Sequence, residues 1–308
     1  QHYLAAFATG EVVYYCPNPG NAGDSLIAQA TLQLFHDADI NYRLVPWKRL
    51  DRYDLAGRVL MFGGGGNLVG YYKQARMVIS RYHRDVKKLV ILPHTIKGNE
   101  DLLGELGENV DIIVREPVSY EHVKKHKAKS KIMLMDDLAL SLDVHKVFAW
   151  KPGSLARYAL KKQLTGNARK NEATVPSPAR IISKNLLDFR RYMDRAFQKS
   201  GHCSLNCFRT GLDSTDISQP ADNVDLSKVY AYGVHNEELI RYASRRLLKF
   251  MNRYHEIRTN RLHLCVAGAL LGKRVRFYPN SYWKCEAIFN YSIRDRFENV
   301  EWCGDPRG

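Results

Sequence analysis

The sequence predicts an α/β protein of two Rossmann-like halves facing across a cleft, each half a parallel sheet with helices on both faces. Three observations carry that expectation. Short apolar runs alternate with helix-like stretches over residues 1–147. A basic, loop-rich middle then breaks the rhythm over 148–200, where a linker, an insertion and a connecting helix are expected. The alternation resumes over 201–308.

In the first half, Glu11–Cys16 reads as a buried strand. It runs into Pro17-Asn18-Pro19-Gly20-Asn21-Ala22-Gly23-Asp24, which is turn chemistry. Ser25 to Phe35 has helical periodicity, with Leu26, Ala30 and Leu34 on one face. Arg58–Phe62 is a second strand and stops abruptly at Gly63-Gly64-Gly65-Gly66-Asn67. Lys88–Pro93, Val110–Arg115 and Lys131–Met135 supply three more, the last followed by Asp136-Asp137.

The middle carries loop signals at Lys151-Pro152-Gly153, Gly166–Asn171 and Pro176-Ser177-Pro178, and a helix is expected near Lys184–Lys199. Beyond it, Cys203–Phe208 looks like a strand with Arg209 just past its end. Glu237 to Tyr254 is an amphipathic helix striped by Ile240, Ala243, Leu247, Phe250, Met251 and Tyr254. Thr259-Asn260 is expected to cap a helix from Arg261 that ends at Gly272. Arg274–Tyr278 is the next strand and Pro279-Asn280-Ser281 the next loop.

Composition narrows the class. Apolar content of 45% and charged content of 26% are those of a chain that buries real cores. No window approaches the ~18 apolar residues of a membrane span. The opening Gln1–Ala8 lacks the basic start of a signal peptide. Six scattered cysteines without a C-x-x-C pair read as reduced, mostly buried thiols, and no metal cluster is expected. The net charge of +15 points to an anionic partner: nucleic acid, a membrane face or a substrate. Signatures of helix-turn-helix, zinc-finger or RNP modules are absent, so no nucleic-acid partner is expected.

Four constellations carry chemistry. Asn21 to Asp24 leads into a helix, where backbone N–H groups and the helix dipole favour an anion. Asp24 argues against a phosphate there and leaves a cap, a sugar-hydroxyl ligand or a base as alternatives. The glycine run ends a strand where open parallel sheets bind ligands, and it lacks the Gly-Lys-Ser/Thr of a Walker loop. Arg261 and His263 at a helix start call for an anionic partner, Arg261 as a fork and His263 as a proton donor. Arg209 reaches toward the same cleft.

Taken in order, Asn21-Ala22-Gly23-Asp24, Gly63–Asn67, Arg115-Glu116-Pro117-Val118-Ser119, Asp136-Asp137, Phe208-Arg209-Thr210, Thr259-Asn260-Arg261-Leu262-His263 and Asn280-Ser281-Tyr282 with Lys284 resemble the polysaccharide pyruvyltransferase family. The resemblance implies a fold like that of GT-B glycosyltransferases and phosphoenolpyruvate as donor substrate, with no cofactor. It implies a glycan or lipid-linked oligosaccharide acceptor in exopolysaccharide biosynthesis and a pyruvate ketal as product. Arg209 and Arg261 would contact the donor, and His263 would be the acid. Asp24, Asp136 or Asp137 would act as a base or bind a hydroxyl. Leu262, Asn21, Gly65, Gly66, Asn67, Asn280, Ser281, Tyr282 and Lys284 complete the expected substrate side. The alternative is a GT-B glycosyltransferase using a nucleotide sugar. The surplus positive charge suits a cytoplasmic enzyme peripheral to the anionic inner face of the membrane, with Lys161-Lys162 and Arg190-Arg191 in the basic middle.

Overall fold

The computed structural model describes residues 2–126, 129–151, 204–210 and 219–304. Its first part runs α1 (His2–Ala5), β1 (Val13–Cys16), α2 (Ala22–Asp37), β2 (Tyr42–Leu44), β3 (Val59–Phe62), β4 (Gly65–Leu68), α3 (Gln74–Tyr82) and β5 (Lys88–Ile96). It continues through α4 (Glu100–Glu105), β6 (Val110–Val114), α5 (Pro117–Lys125), β7 (Lys131–Leu134) and α6 (Val144–Ala149). The second part holds β8 (Ser204–Asn206), α7 (Leu226–Val229), α8 (Glu237–Met251), β9 (Glu256–Thr259), α9 (Leu262–Leu270), β10 (Arg274–Phe277), α10 (Lys284–Ile288) and β11 (Val300–Trp302). The expected helix near Lys184–Lys199, Lys161-Lys162 and Arg190-Arg191 lie outside the described residues.

Two parallel sheets result, as Rossmann-like α/β folds require. The first has seven strands in the order β2-β1-β3-β5-β6-β7, with β4 also on β5; the second has four, β11-β10-β9-β8. Every residue of β3 and β6 is buried, because helices cover both faces. The first sheet reverses its winding at β1, with β2 on one side and β3 on the other. The crevice at the carboxyl ends of β1 and β3 is therefore the expected ligand position.

Helix α2 belongs to both parts of the molecule. Of its 16 residues 13 are buried, so it has no single solvent face. Ala28, Leu32 and Phe35 join the core beneath β1 and β3. Leu26, Ile27 and Ala30 join the core built by α8, α9 and the second sheet. The Ser244 hydroxyl of α8 donates to the Ser25 carbonyl at 3.1 Å across this seam.

Several boundaries differ from the sequence reading for local reasons. Asn21 to Asp24 is the cap and first turn of α2, which starts three residues before Ser25. The Asn21 side chain accepts from the Gly23 N–H at 2.8 Å, and the Asp24 carboxylate accepts from the Asn21 N–H at 2.8 Å. This reciprocal pair is a capping box. β5 continues through Pro93 to Ile96. Proline is tolerated because the strand changes partner there: Ile91 pairs with Phe62 of β3, whereas His94 pairs with Gly65 of β4. β2, β9 and β11 were not expected. In β9, Glu256 and Arg258 take the alternate, wetter positions and pair with each other at 2.5 Å. Two buried residues in four are a faint strand signal. Thr259 therefore ends a strand, and Arg261 occupies the cap position of α9. Gly272 has φ +66° just past that helix, as a C-terminal glycine should.

Candidate functional site

The carboxyl ends of both sheets converge on one cavity of about 110 Å³. From the first sheet come the turn Asn18–Asn21 after β1, Asp24, Gly66 and Asn67 of β4, Tyr72, and Arg115 after β6. From the second come Arg209 after β8, Ser227, Asn260 to His263 after β9, and Lys284 with Cys285 at the start of α10. Parallel strands place their loops at one edge, so residues far apart in sequence meet.

Arg115 lies at the centre of the polar network and is 1% exposed. Its Nε donates to the Thr95 hydroxyl at 2.9 Å and its Nη1 to Asp137 Oδ2 at 2.6 Å. Its Nη2 packs against Gly66, where a β-carbon would stand 2.8 Å away. The same Asp137 oxygen lies 3.4 Å from His263 Nε2. Burial alone would raise the Asp137 carboxyl, but the charges of His263 and then Arg115 reverse that and hold it well below the usual range. Asp137 also accepts from the Ala139 N–H at 2.9 Å, so it is a fixed anion bridging a guanidinium and an imidazole.

A second buried pair holds Arg261. Its Nη2 donates to Asp225 Oδ2 at 2.6 Å, both side chains being 6% exposed. Its Nε is buried without a partner. Burial and then the charge of Arg209 lower this guanidinium from its ordinary value, and Asp225 opposes them. Asp225 is itself held by the N–H and hydroxyl of Thr210, each at 3.0 Å. The Arg209 N–H donates to Asn260 Oδ1 at 2.7 Å, which ties the two strand ends together. Lys284 is 7% exposed and sits over the Tyr282 ring, 4.7 Å from its centroid.

On the opposite wall, His94 is wholly buried, and its Nε2 lies 3.1 Å from Asn67 Oδ1. Burial, then Arg115, push its imidazole down to about 3, so the ring is neutral. The bond to His94 engages the Asn67 oxygen and leaves the buried Nδ2 unpartnered. His263 packs against α2, where a β-carbon at Gly23 would meet His263 Nδ1 at 2.6 Å.

Of the residues expected on the substrate side, Asn21, Asp24, Gly66, Asn67, Arg209, Arg261, Leu262, His263 and Lys284 line this cavity. Five do not. Asp136 is half exposed, accepting from the Ser292 hydroxyl at 2.8 Å and pairing with Arg296 at 3.5 Å; its neighbour Asp137 is the buried one. Gly65 lies behind the wall at φ +151°, where a β-carbon would strike the Asn18 amide at 2.5 Å. Asn280 accepts from the Cys285 N–H at 3.3 Å and so shapes the start of α10. Ser281 is exposed, and Tyr282 backs Lys284. Asp24 does line the cavity, but both of its oxygens serve structure: Oδ1 accepts from the Asn18 amide at 2.7 Å and Oδ2 from the Asn21 N–H.

Sequence reasoning gave no site role to Arg115 or Asn260, although both fall in motifs that carry the resemblance, and it passed over His94, Thr95, Asn18, Tyr72 and Asp225. One signal was available. Arg115 is a charge just past the carboxyl end of the buried β6, and His94-Thr95 are polar residues near the corresponding end of β5.

The sequence model of a family described as polysaccharide pyruvyl transferase matches residues 21–282. A protein of Bacillus subtilis (strain 168) named "Putative pyruvyl transferase EpsO" is 24% identical, across 91% of this chain and 84% of its own. The crystal structure of an uncharacterized protein from Klebsiella pneumoniae subsp. pneumoniae NTUH-K2044 is similar at a TM-score of 0.72 and 28% identity. That likeness covers 98% of this chain and 95% of the other.

Proposed function

Since the chain belongs to the polysaccharide pyruvyl transferase family, we propose that it takes phosphoenolpyruvate as donor and forms a pyruvate ketal on a sugar of a cell-surface polysaccharide or its lipid-linked precursor. The observation that carries this reading is the charge of the cavity. Arg115, Arg209, Arg261 and Lys284 line about 110 Å³ in which Asp24 is the single lining carboxylate among the described residues. Phosphoenolpyruvate places a carboxylate and a phosphate on three carbons, roughly three negative charges at neutral pH given the second phosphate ionisation near 6. Guanidinium forks suit both groups. A nucleotide sugar would need a base and ribose pocket in addition, and the family membership does not favour it.

In the proposed reaction His263 delivers a proton to the methylene carbon of the donor. Positive character develops at the enol carbon, and a sugar hydroxyl adds there, giving a tetrahedral phosphoketal. The carbon–oxygen bond to phosphate then breaks as the second hydroxyl closes the ring; of the two hydroxyl protons released, one reprotonates His263 and the other leaves on the phosphate as hydrogen phosphate. Asp137 orients His263 and balances its charge. Asp24 is the remaining candidate for taking a hydroxyl proton, which would require it to loosen its hold on Asn18.

Thermal-shift titration tests the donor. Phosphoenolpyruvate should raise the melting temperature in a saturable way and nucleotide sugars should not; the reverse pattern overturns the reading. Phosphate release dependent on a glycan acceptor tests the transfer. A peripheral contact with anionic lipid is proposed with it on the net charge of +15; no helix among the described residues is long and apolar enough to cross a membrane. Salt-sensitive binding to phosphatidylserine vesicles, absent with neutral ones, is the expected result.

A further inference from the structure

Away from the cavity, α4 and α5 bring together three side chains with metal-ligating atoms. Glu100 opens α4, His122 lies in the last turn of α5, and His126 is the C-cap residue of α5. One ligand atom from each lies within 4.8 Å of the other two. Among the described residues this is the one such cluster. The two rings are 4.9 Å apart, the separation that places i and i+4 histidines on one helix face.

We infer that Glu100, His122 and His126 form a binding site for a zinc-like divalent cation. Two imidazoles and one carboxylate are the donor set that suits zinc, nickel or copper rather than magnesium or calcium. His122 Nε2 is 4.0 Å from Glu100 Oε1. Ligands about 2.1 Å from a tetrahedral zinc stand about 3.4 Å apart, so a small rotation of the exposed Glu100 side chain brings the Glu100–His122 pair to that spacing, and the whole set, now within 4.8 Å, has to tighten on the cation. His122 Nε2 donates to the Gly98 carbonyl at 2.9 Å, so a cation takes that nitrogen's lone pair by displacing this bond and its proton. Lys124 and Lys125 oppose a cation in this turn, while the partial negative charge of the helix end favours one. Three protein ligands leave a position for water, so the site is open.

The cation would tie the end of α5 to the segment 97–100. That segment reaches the cavity's surroundings, since Lys97 lies over the ring of Tyr282, which backs Lys284. The inference is independent of pyruvyl transfer and concerns a clamp outside the reacting groups.

Titration of the metal-free full chain with Zn²⁺ by calorimetry tests it, with Co²⁺ absorption reporting coordination geometry. One equivalent should bind, and His122→Ala and His126→Ala should each weaken binding more than about tenfold. Glu100→Gln should weaken it less. Cys303→Ser and His145→Ala, which alter other surface donors, should leave it unchanged. Circular dichroism shows whether each variant folds; His126→Ala carries the test if loss of the Gly98 contact disturbs His122→Ala. Absence of saturable binding overturns the site, as does affinity unchanged in a folded His122→Ala or His126→Ala protein.

Discussion

His263 touches three features at once: Asp137 through Nε2, the first turn of α2 through Gly23, and the cavity itself. A general acid contributes about 100-fold or more to a proton-transfer step. Replacing His263 by Ala should therefore cut acceptor-dependent phosphate release by at least about that factor while phosphoenolpyruvate still raises the melting temperature. Full turnover in the variant would remove His263 from the chemistry. The basic residues of the second sheet were legible because Arg261 and His263 stand at a helix start, where cations are out of place without an anion. Arg115 was harder. It is paired to Asp137, a residue 22 positions away, and only the fold makes that pair. Nothing in the local sequence distinguishes Asp136 from Asp137 either; the turn after β7 exposes one and buries the other.

At the scale of elements, the first turns of α2 and α5 are tuned for different ends. Gly23 lies in the first turn of α2, where alanine would normally favour the helix by about 1 kcal/mol. Its β-carbon would instead press on His263. Gly23→Ala should leave the melting temperature within a few degrees of the parent and lower kcat about tenfold or more. Unchanged kcat would mean that His263 moves aside freely. In α5 the N-cap is Glu116, fully buried, accepting from the Ser119 N–H at 2.7 Å. Burial pushes its carboxyl up to about 7 from 4.5, against the Ser119 bonds and the Arg115 charge. The folded state thus holds a proton that the unfolded chain releases between those values. The associated stability is present below about 4.5 and is lost as pH rises through about 7. Glu116→Gln keeps the neutral form at every pH. Relative to the parent it should gain roughly 1–3 kcal/mol between pH 5 and 8 in denaturant unfolding; a pH-independent difference contradicts this account. The glycine run is read from sequence as a ligand-binding strand end, and Gly66 and Asn67 do line the cavity. Gly65 and Gly66 also make room for Asn18 and Arg115.

Over the whole molecule, strand–helix alternation made the parallel α/β class legible, because buried parallel strands are runs of apolar residues with nothing else to confuse them. The short, half-exposed strands β2, β9 and β11 were lost for the opposite reason. Least legible was the seam. The periodicity of α2 marks one apolar face, while the structure uses two, one against each sheet. A chain severed within 152–203 therefore yields two pieces that each expose a surface the other covers. Neither piece alone should give a cooperative melting transition, and the two mixed should recover one; a cooperative melt from either piece alone would contradict the shared core. The same seam sets a rule for anyone recombining such proteins. The parts on either side of 152–203 are not cassettes. A chimera that exchanges the Arg261–His263 side for a relative's must carry over the matching face of α2 as well, or the new partner meets a helix shaped for someone else.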